Sequence, residues 1–522
     1  MAEEDTSPIA AFYQDRAVLI TGATGFMGKV LVEKLLRCCG GIKTIYVLLR
    51  SKGGQKPRER LEELLNAKIF DDIRKNQPHQ LSKLVPIHGD ITLPGLGICP
   101  SDVTLLAGDV SVVFHSAATV KFDEPLKCSV EMNILGTRRL VELCHKIPHL
   151  VALIHVSTAY CNCDRDEVDE IVYPPPANPQ KVIDALEWMD EDMIASITPK
   201  LLGDRPNTYT YTKALAENLL VEECGSLPVA IVRPSIVAAA WKEPLPGWID
   251  NFNGPTGLIV ATGKGVLRSM LCRPCGTADI IPVDVVIKLI ISVAWYTATQ
   301  RPNNIMIYNC TSGSQNRLSW REVESTVFSL VNTHPSREVL RYPGGSFKSN
   351  RLWNQIYVFI HHQIPAHLLD FAARLMGRKP SPGLERMVQL YSRLNRAINC
   401  LEYFTTHEWV FHNSNVQTLY KQLVGKDKET FDFSIKNLDW PKYFEDYVLG
   451  SRKYLLKEDP STLPAARRSL RRLYVISQLV NFIFLLGLWR ILIMRSAAAR
   501  RLWWFFLSTV VRSYRLLPSF LT

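Results

Sequence analysis

Six short runs rich in β-branched residues recur between Arg16 and about Cys310, separated by stretches of helical spacing, and this alternation restricts what the chain can fold into. The runs are residues 17–20, 45–49, 85–87, 110–114, 152–156 and 229–232. Strands that alternate with helices build a parallel sheet covered on both faces, a doubly wound α/β arrangement of the Rossmann type. Around residues 335–349 the composition turns to Pro, Gly, Ser and charge, which predicts a linker. Residues 352–457 have a mostly helical pattern with aromatic-rich stretches such as 404–409, and a polar stretch at 457–464 leads into a hydrophobic tail. A chain of 522 residues exceeds what one core usually fills. The expected division is therefore an α/β domain over residues 15–340, a helical domain over 352–457, and a membrane-associated tail over 470–515.

The formal net charge is +11, but its distribution argues against nucleic acid. No acid follows Asp459, whereas ten arginines do (Arg467, Arg468, Arg471, Arg472, Arg490, Arg495, Arg500, Arg501, Arg512 and Arg515), leaving about +1 for the rest. Basic charge confined to a hydrophobic tail matches lipid headgroups rather than a nucleic-acid groove. Residues 473–489 carry no charge but are only 17 long, at the lower limit for a spanning helix. Arg490 would have to snorkel for the helix to continue. Residues 502–511 begin with Trp503-Trp504-Phe505-Phe506, suited to the interface and too short to span. Arginines flank both segments, so a hairpin or in-plane helix competes with a single span. Twelve scattered cysteines show no disulfide framework, and Cys272/Cys275 and Cys161/Cys163 lack the second pair a zinc site needs, so no metal is expected. The start, Met1-Ala-Glu-Glu-Asp-Thr6, is acidic and unlike a secretory signal, so the body is expected to face a reducing compartment, where the sequon at Asn309 carries no glycan.

Thr21-Gly22-Ala23-Thr24-Gly25-Phe26-Met27-Gly28 follows the first strand and opens a helix. Glycines three apart allow a tight turn, close approach of backbone amides to a pyrophosphate, and close helix–strand packing. The second strand ends in Leu49-Arg50-Ser51-Lys52. An acid there would hold the ribose 2′-hydroxyl of NAD; Arg50 and Lys52 suit the 2′-phosphate of NADPH instead. Asp90-Ile91 follows the third strand, where Asp90 either accepts from the adenine amine or caps a turn. Ser116, Ala117 and Ala118 follow the fourth, small enough for a cofactor to lie against backbone, with His115 before them as a packing or hydrogen-bonding group.

Tyr209 and Lys213 are four apart, so on a helix they share one face, while Tyr211 turns away. A phenol titrates near pH 10, and a neighbouring cation would lower it toward useful proton exchange. Tyr209 would protonate an oxygen receiving charge as hydride arrives, and Lys213 would also reach the nicotinamide ribose. A hydroxyl at the end of the fifth strand should complete the group. Ser157 and Thr158 are the candidates, adjacent strand residues face opposite ways, and Thr158 is favoured. Pro234, Ser235 and Ile236 after the sixth strand would line the carboxamide. Asn133 either anchors Lys213 through water or is a buried helix polar group.

Together, Thr21-Gly-Ala-Thr-Gly-Phe-Met-Gly28, His155-Val-Ser-Thr-Ala-Tyr160, Tyr209-Thr-Tyr-Thr-Lys213 and Val232-Arg-Pro-Ser235 resemble the fatty acyl-CoA reductases, alcohol-forming members of the extended short-chain dehydrogenase superfamily. Residues 404–409 and Phe431-Asp432-Phe433 resemble that family's helical "male sterility" domain, and the likeness runs from about Asp15 to Lys457. The resemblance implies a four-electron reduction of long-chain fatty acyl-CoA by two NADPH, without a cysteine nucleophile. It also implies a role in lipid metabolism on the cytosolic face of the endoplasmic reticulum or a peroxisome. The acidic, then proline-rich insert at 164–179 either borders the acyl entrance or is a surface loop. A membrane-bound steroid or sugar-nucleotide dehydrogenase, a reductase stopping at aldehyde, and a non-enzymatic nucleotide-binding scaffold are the competing readings. Oligomeric state is left open.

Overall fold

The computed structural model describes residues 7–375 and 387–516; Met1–Thr6, and with it the reading of the start, lies outside the described residues. Seven parallel strands form the central sheet: β1 (Ala17–Thr21), β2 (Thr44–Leu49), β3 (Leu84–His88), β4 (Val110–His115), β5 (Ala152–Val156), β7 (Val229–Pro234) and β10 (Met306–Cys310). Their order across the sheet is β10-β7-β5-β4-β1-β2-β3. All six predicted runs are strands, and β10 adds an edge that the sequence reading had not singled out. The order reverses between β1 and β4, which opens a crevice beyond the C-terminal ends of those two strands.

The sheet is buried on both faces, as its apolar runs require. The helix Phe26–Cys38 packs with the helix Val283–Gln300 on one face, alongside Val18, Ile20, Val112 and Ile154. Leu19, Val113, Leu153 and Ile231 face the opposite layer with Leu140, Val141 and Leu220. Val283–Gln300 is apolar enough to cross a membrane, but it is largely buried against the sheet and belongs to this core.

Two short pairings fix the remaining chain. Strand β6 (Glu167–Val168) lies in the 164–179 insert and pairs in parallel with β11 (Val410–Phe411); β8 (Ile236–Ala238) pairs with β9 (Ile280–Pro282). The insert is therefore a seam between the α/β part and the C-terminal helices. Glu170 in it accepts from the backbone amides of Asn309 (2.9 Å) and Asn415 (2.5 Å). Asn309 is fully buried and donates to the Val168 and His412 carbonyls, so its sequon plays a packing role here. Val416, Leu419, Phe431, Phe433, Trp440, Tyr443 and Tyr447 share one continuous apolar core with the sheet.

The tail is a helical hairpin. The helix Leu463–Arg495 runs unbroken through Arg490, longer than the 17-residue charge-free stretch alone allowed. After Ser496 the helix Ala497–Leu516 folds back, with the Trp489 and Trp503 rings 5.8 Å apart. Its base touches the body through buried Ala466 and Leu470, the Arg467 bond to the Thr333 carbonyl, and Tyr474 against Tyr342. Beyond that base, Ile476, Leu479, Phe482, Phe484 and Leu485 are exposed.

Candidate active site

The crevice at the β1/β4 reversal is shaped by glycine. Gly22 has φ +78°, and a Cβ there would sit 2.7 Å from the Ala117 nitrogen; at Gly28 it would sit 2.2 Å from the Gly22 carbonyl oxygen. Any side chain at either position would force the turn off the end of β4 or the helix off the turn. The helix Phe26–Cys38 starts at Gly25, so its free amides face the crevice. Ser116 Oγ donates to the Thr21 carbonyl (2.9 Å), and the Ala117 amide donates to Thr21 Oγ1 (3.3 Å), which locks the two strand ends together.

Two cavities meet there, sharing Gly22, Thr24, Gly25, Ser116 and Ala118 as walls. One, about 390 Å³, lies over the ends of β2 and β3 between Arg50, Lys52, Asp90, Ile91 and Ala117. The other, about 610 Å³, runs from Phe26, Met27 and Gly28 past Ser157, Thr158, Tyr209 and Lys213 to Pro234, Ser235 and Ile236. A dinucleotide with its pyrophosphate over Gly22–Gly25 would fill both halves, adenosine in the first and nicotinamide in the second.

The first cavity holds a residue the sequence reading missed. Arg60, on the helix Pro57–Leu65, donates to the Arg50 carbonyl (2.7 Å) and to Thr24 Oγ1 (3.2 Å), and lines the cavity beside Arg50 and Lys52. Burial, with Arg50 next to it, lowers its guanidinium pKa. Nothing in the sequence marks Arg60, because its place depends on how a separate helix returns over the second strand. Asp90 caps the turn: Oδ1 accepts from the Thr92 amide (3.0 Å) and hydroxyl (2.9 Å), while Oδ2 lies 3.4 Å from Arg50 at the cavity wall. Despite the burial that raises it, those contacts hold its carboxyl below the usual range.

In the second cavity, the helix Thr208–Glu223 is capped by Asn207, which accepts from the Thr210 amide, and presents Tyr209 and Lys213 to the cavity. Thr158 lies beside the Tyr209 phenol, whereas Ser157 lies beside Cys161. Lys213 Nζ donates to the Val156 carbonyl (2.7 Å). Burial lowers the Lys213 pKa to about 8, against the raising pull of Glu217. The expected lowering of the Tyr209 phenol is reversed: enclosure by protein pushes it up, and the Thr158 contact offsets this only partly. A phenol raised in this way stays protonated at neutral pH and so holds the proton that a general acid must supply. Tyr211 does turn away, into an apolar cluster with Leu215, Leu219 and Val130.

The surrounding polar groups are held by protein partners. His115 bridges Thr21 Oγ1 (2.7 Å) and Thr137 Oγ1 (3.1 Å), and burial drops its pKa to about 3, so it is neutral and joins strand to helix. Asn133 sits in a π-turn, Glu131–Leu135; it accepts from the Thr119 amide (3.0 Å) and donates to Thr212 Oγ1 (3.0 Å), next to Lys213 rather than on it. Behind Lys213, Glu217 and Arg233 form a buried ion pair (2.6 Å) whose guanidinium also donates to the Asp169 and Ile171 carbonyls of the insert.

The C-terminal helices complete the cavity. Phe122 stands between Tyr209 (5.9 Å between ring centres) and Phe404 (5.3 Å). Leu401, Phe404 and Thr405, from the helix Met387–Thr406, line the same space, with Leu258 and Trp320 further along. Sequence alone gives no reason to bring Phe122 and Phe404 together, since the contact spans two parts of the chain.

A parallel sheet of this order, a glycine turn at its reversal and a Tyr–Lys helix at the same crevice define an extended short-chain dehydrogenase type of nucleotide-binding domain. The family described as "Male sterility protein" matches residues 20–290, and a second family of that description, "Sterile", matches 361–458. "Fatty acyl-CoA reductase 1" of Xenopus laevis is 48% identical over 96% of each chain, and that of Homo sapiens is 47% identical over the same shares. "Fatty acyl-CoA reductase 2" of Mus musculus is 46% identical, again over 96% of each. The chain belongs to the fatty acyl-CoA reductase family. Among solved structures, the terminal R domain of the myxalamid PKS-NRPS pathway has TM-score 0.55 at 20% identity (84% of this chain, 91% of that one). The reductase domain of a non-ribosomal peptide synthetase from Mycobacterium tuberculosis has 0.54 at 16% (87% and 94%). At those identities the likeness concerns the fold.

Proposed function

We propose that this protein reduces long-chain fatty acyl-CoA to the primary alcohol with NADPH, at a membrane, and that the α/β part (15–340), the helical part (352–457) and the tail (470–515) divide this work as nucleotide binding, substrate enclosure and attachment. The observation that carries the reading is one cavity in which a glycine-lined nucleotide cradle, the Tyr209–Lys213 pair and the apolar wall of Phe122, Leu258, Leu401 and Phe404 are continuous. The curated relatives are named for the same substrate.

Bound NADPH supplies two hydrides, one per molecule, to the acyl carbon in succession. Thr158 and Tyr209 hold the thioester oxygen, and Tyr209 delivers its proton as charge develops there. The hemithioacetal then loses CoA thiolate, which takes up a proton, and leaves the aldehyde. With a second NADPH, Tyr209, reprotonated from solvent, donates again and the alcohol forms. Lys213 keeps a positive charge near Tyr209 and would bond the ribose of the cofactor. Gly25 and the following amides would hold the pyrophosphate, and Arg50, Lys52 and Arg60 the 2′-phosphate. Incubating the protein with palmitoyl-CoA and NADPH and resolving aldehyde from alcohol distinguishes this reading from an aldehyde-forming enzyme, from a steroid or sugar-nucleotide dehydrogenase, and from a non-enzymatic scaffold.

Cofactor preference should reside in the three cations. Arg50→Asp should weaken NADPH and partly admit NADH, because a carboxylate repels the phosphate and accepts from a 2′-hydroxyl. Arg60→Ala should lower NADPH efficiency with little change for NADH, and the double substitution should shift the ratio further than either alone. An unchanged NADPH-to-NADH ratio of kcat/KM in the double variant would assign the phosphate to other residues.

Membrane attachment should reside in the hairpin. Because Ala466 and Leu470 pack on the body, the cut belongs after Arg472 rather than near Ser461. A chain ending there should remain folded and leave the carbonate-resistant membrane pellet. Its recovery in that pellet would refute attachment by the tail.

A further inference from the structure

The hairpin is not the only apolar surface left bare. The helix Arg351–Val358, a π-turn Phe359–Gln363 and the helix Ile364–Leu375 form one continuous amphipathic element. Its inner face is docked: His362 is fully buried, accepts from the Arg268 amide (3.1 Å) and stacks on Tyr391, and Ala366 is buried below it. Its outer face carries Trp353, Ile356 and Phe359 on the first helix and its π-turn and Leu368, Phe371 and Leu375 on the second helix, all exposed. Ten large apolar side chains are exposed over these 25 residues, a stripe far beyond the scattered apolar residues of an ordinary surface.

We propose that this element lies in the membrane interface, as a second contact that seats the body on the lipid surface beside the hairpin. Two neighbours in sequence join the surfaces: Arg341 donates to the His361 carbonyl in the element (2.9 Å), and Tyr342 packs its ring 5.1 Å from Tyr474 on the hairpin. The two elements are therefore anchored to neighbouring points of the body. The charge suits anionic headgroups. Arg341, Lys348 and Arg351 lie at or before the start of the element, and its one acid, Asp370, is engaged by the amides of Met387 and Val388. An amphipathic helix bordered by cations, with an aliphatic and aromatic face, binds in the plane of a bilayer rather than across it. Its position also matters to catalysis. A cavity of about 630 Å³ between this element and the helix Met387–Thr406 is lined by Asn354, Val358, Tyr403 and Phe122. Phe122 is the residue that faces Tyr209 on its other side. Seating this element on lipid would bring the surroundings of the catalytic cavity to the phase that holds long-chain substrates. This deepens the membrane part of the proposed function and rests on it.

The test uses the full chain in phosphatidylcholine vesicles containing phosphatidylserine. Leu368→Cys, in a protein whose exposed cysteines are serine, carries a polarity-sensitive fluorophore; Val221→Cys, exposed on the helix Thr208–Glu223, is the control. The Leu368 probe should shift to the blue on vesicle addition and be quenched by lipids brominated in the upper acyl chain, and the Val221 probe should do neither. A Leu368 probe that stays in a water-like environment while the protein floats with the vesicles overturns the proposal. So does one already shifted before lipid is added, which would mean that protein, a second copy or another part of this chain, covers the face. These readouts need no turnover, so they decide the point even if acyl-CoA reduction fails. A second variant, Phe359→Asp with Leu368→Asp, should keep its rate on a short, water-soluble acyl-CoA. On vesicle-borne palmitoyl-CoA it should lose about tenfold or more in kcat/KM, the factor corresponding to one large apolar side chain. Equal rates on both substrates would overturn the proposal.

Discussion

Tyr209→Phe should lower kcat by about 10²–10⁴-fold while NADPH binding, followed by quenching or calorimetry, stays within about twofold, because only the proton donor is removed. Its phenol faces the cavity, contacts Thr158, and is kept protonated by burial. A variant retaining more than about a tenth of the wild-type rate would remove Tyr209 from the role of acid. Tyr211→Phe is the control, since that ring fills an apolar cluster and its hydroxyl makes no hydrogen bond. Thr158→Val should also be severe and Ser157→Ala mild, which would decide between the two hydroxyls. The pH profile adds a sign. Burial lowers the Lys213 pKa to about 8, so its positive charge is present below that pH and lost as pH rises through it. The alkaline limb of kcat/KM in the wild type should therefore fall near pH 8, and Lys213→Arg should move that limb upward whatever rate remains.

Glu217→Ala should cost about 3–5 kcal/mol of stability, the largest structural effect expected here, by leaving the Arg233 guanidinium buried without its carboxylate. The pair is 2.6 Å apart with side-chain exposures of 0% and 2%, and it ties the Lys213 helix to β7 and to the insert. Thermal melts should show a clear loss for either single alanine. Replacing both residues with methionine should recover much of it, because well-packed apolar residues often equal a buried ion pair. If Glu217→Ala melts within a degree or two of the wild type, water must reach Arg233 and the buried-pair account is wrong.

What the sequence disclosed follows from range. The glycine turn, the Tyr–Lys helix and the six runs are local patterns, read from spacing alone, and each lies where the pattern put it. The strand Met306–Cys310 was not singled out because Asn309 interrupts its apolar run with a polar side chain whose partners, Val168 and His412, are far away in sequence. The insert gave no sign of pairing because β6 and β11 are two residues each and lie more than 240 positions apart. Arg60 and Phe404 enter the cavities through tertiary packing of separate helices, and composition says nothing of that. The phenol's shift has the opposite sign to the one expected, since a neighbouring lysine is visible in sequence whereas the desolvation that tertiary packing imposes is not.

The central claim is that one cavity carries out both reductions. Its most direct test is to supply NADPH deuterated at the transferred C4 position with palmitoyl-CoA and to read the label in the product by mass spectrometry. The account predicts hexadecanol with two deuterium atoms on C1 and two NADPH consumed per CoA released. Hexadecanal with a single deuterium, or no transfer of label to the acyl carbon, would contradict it.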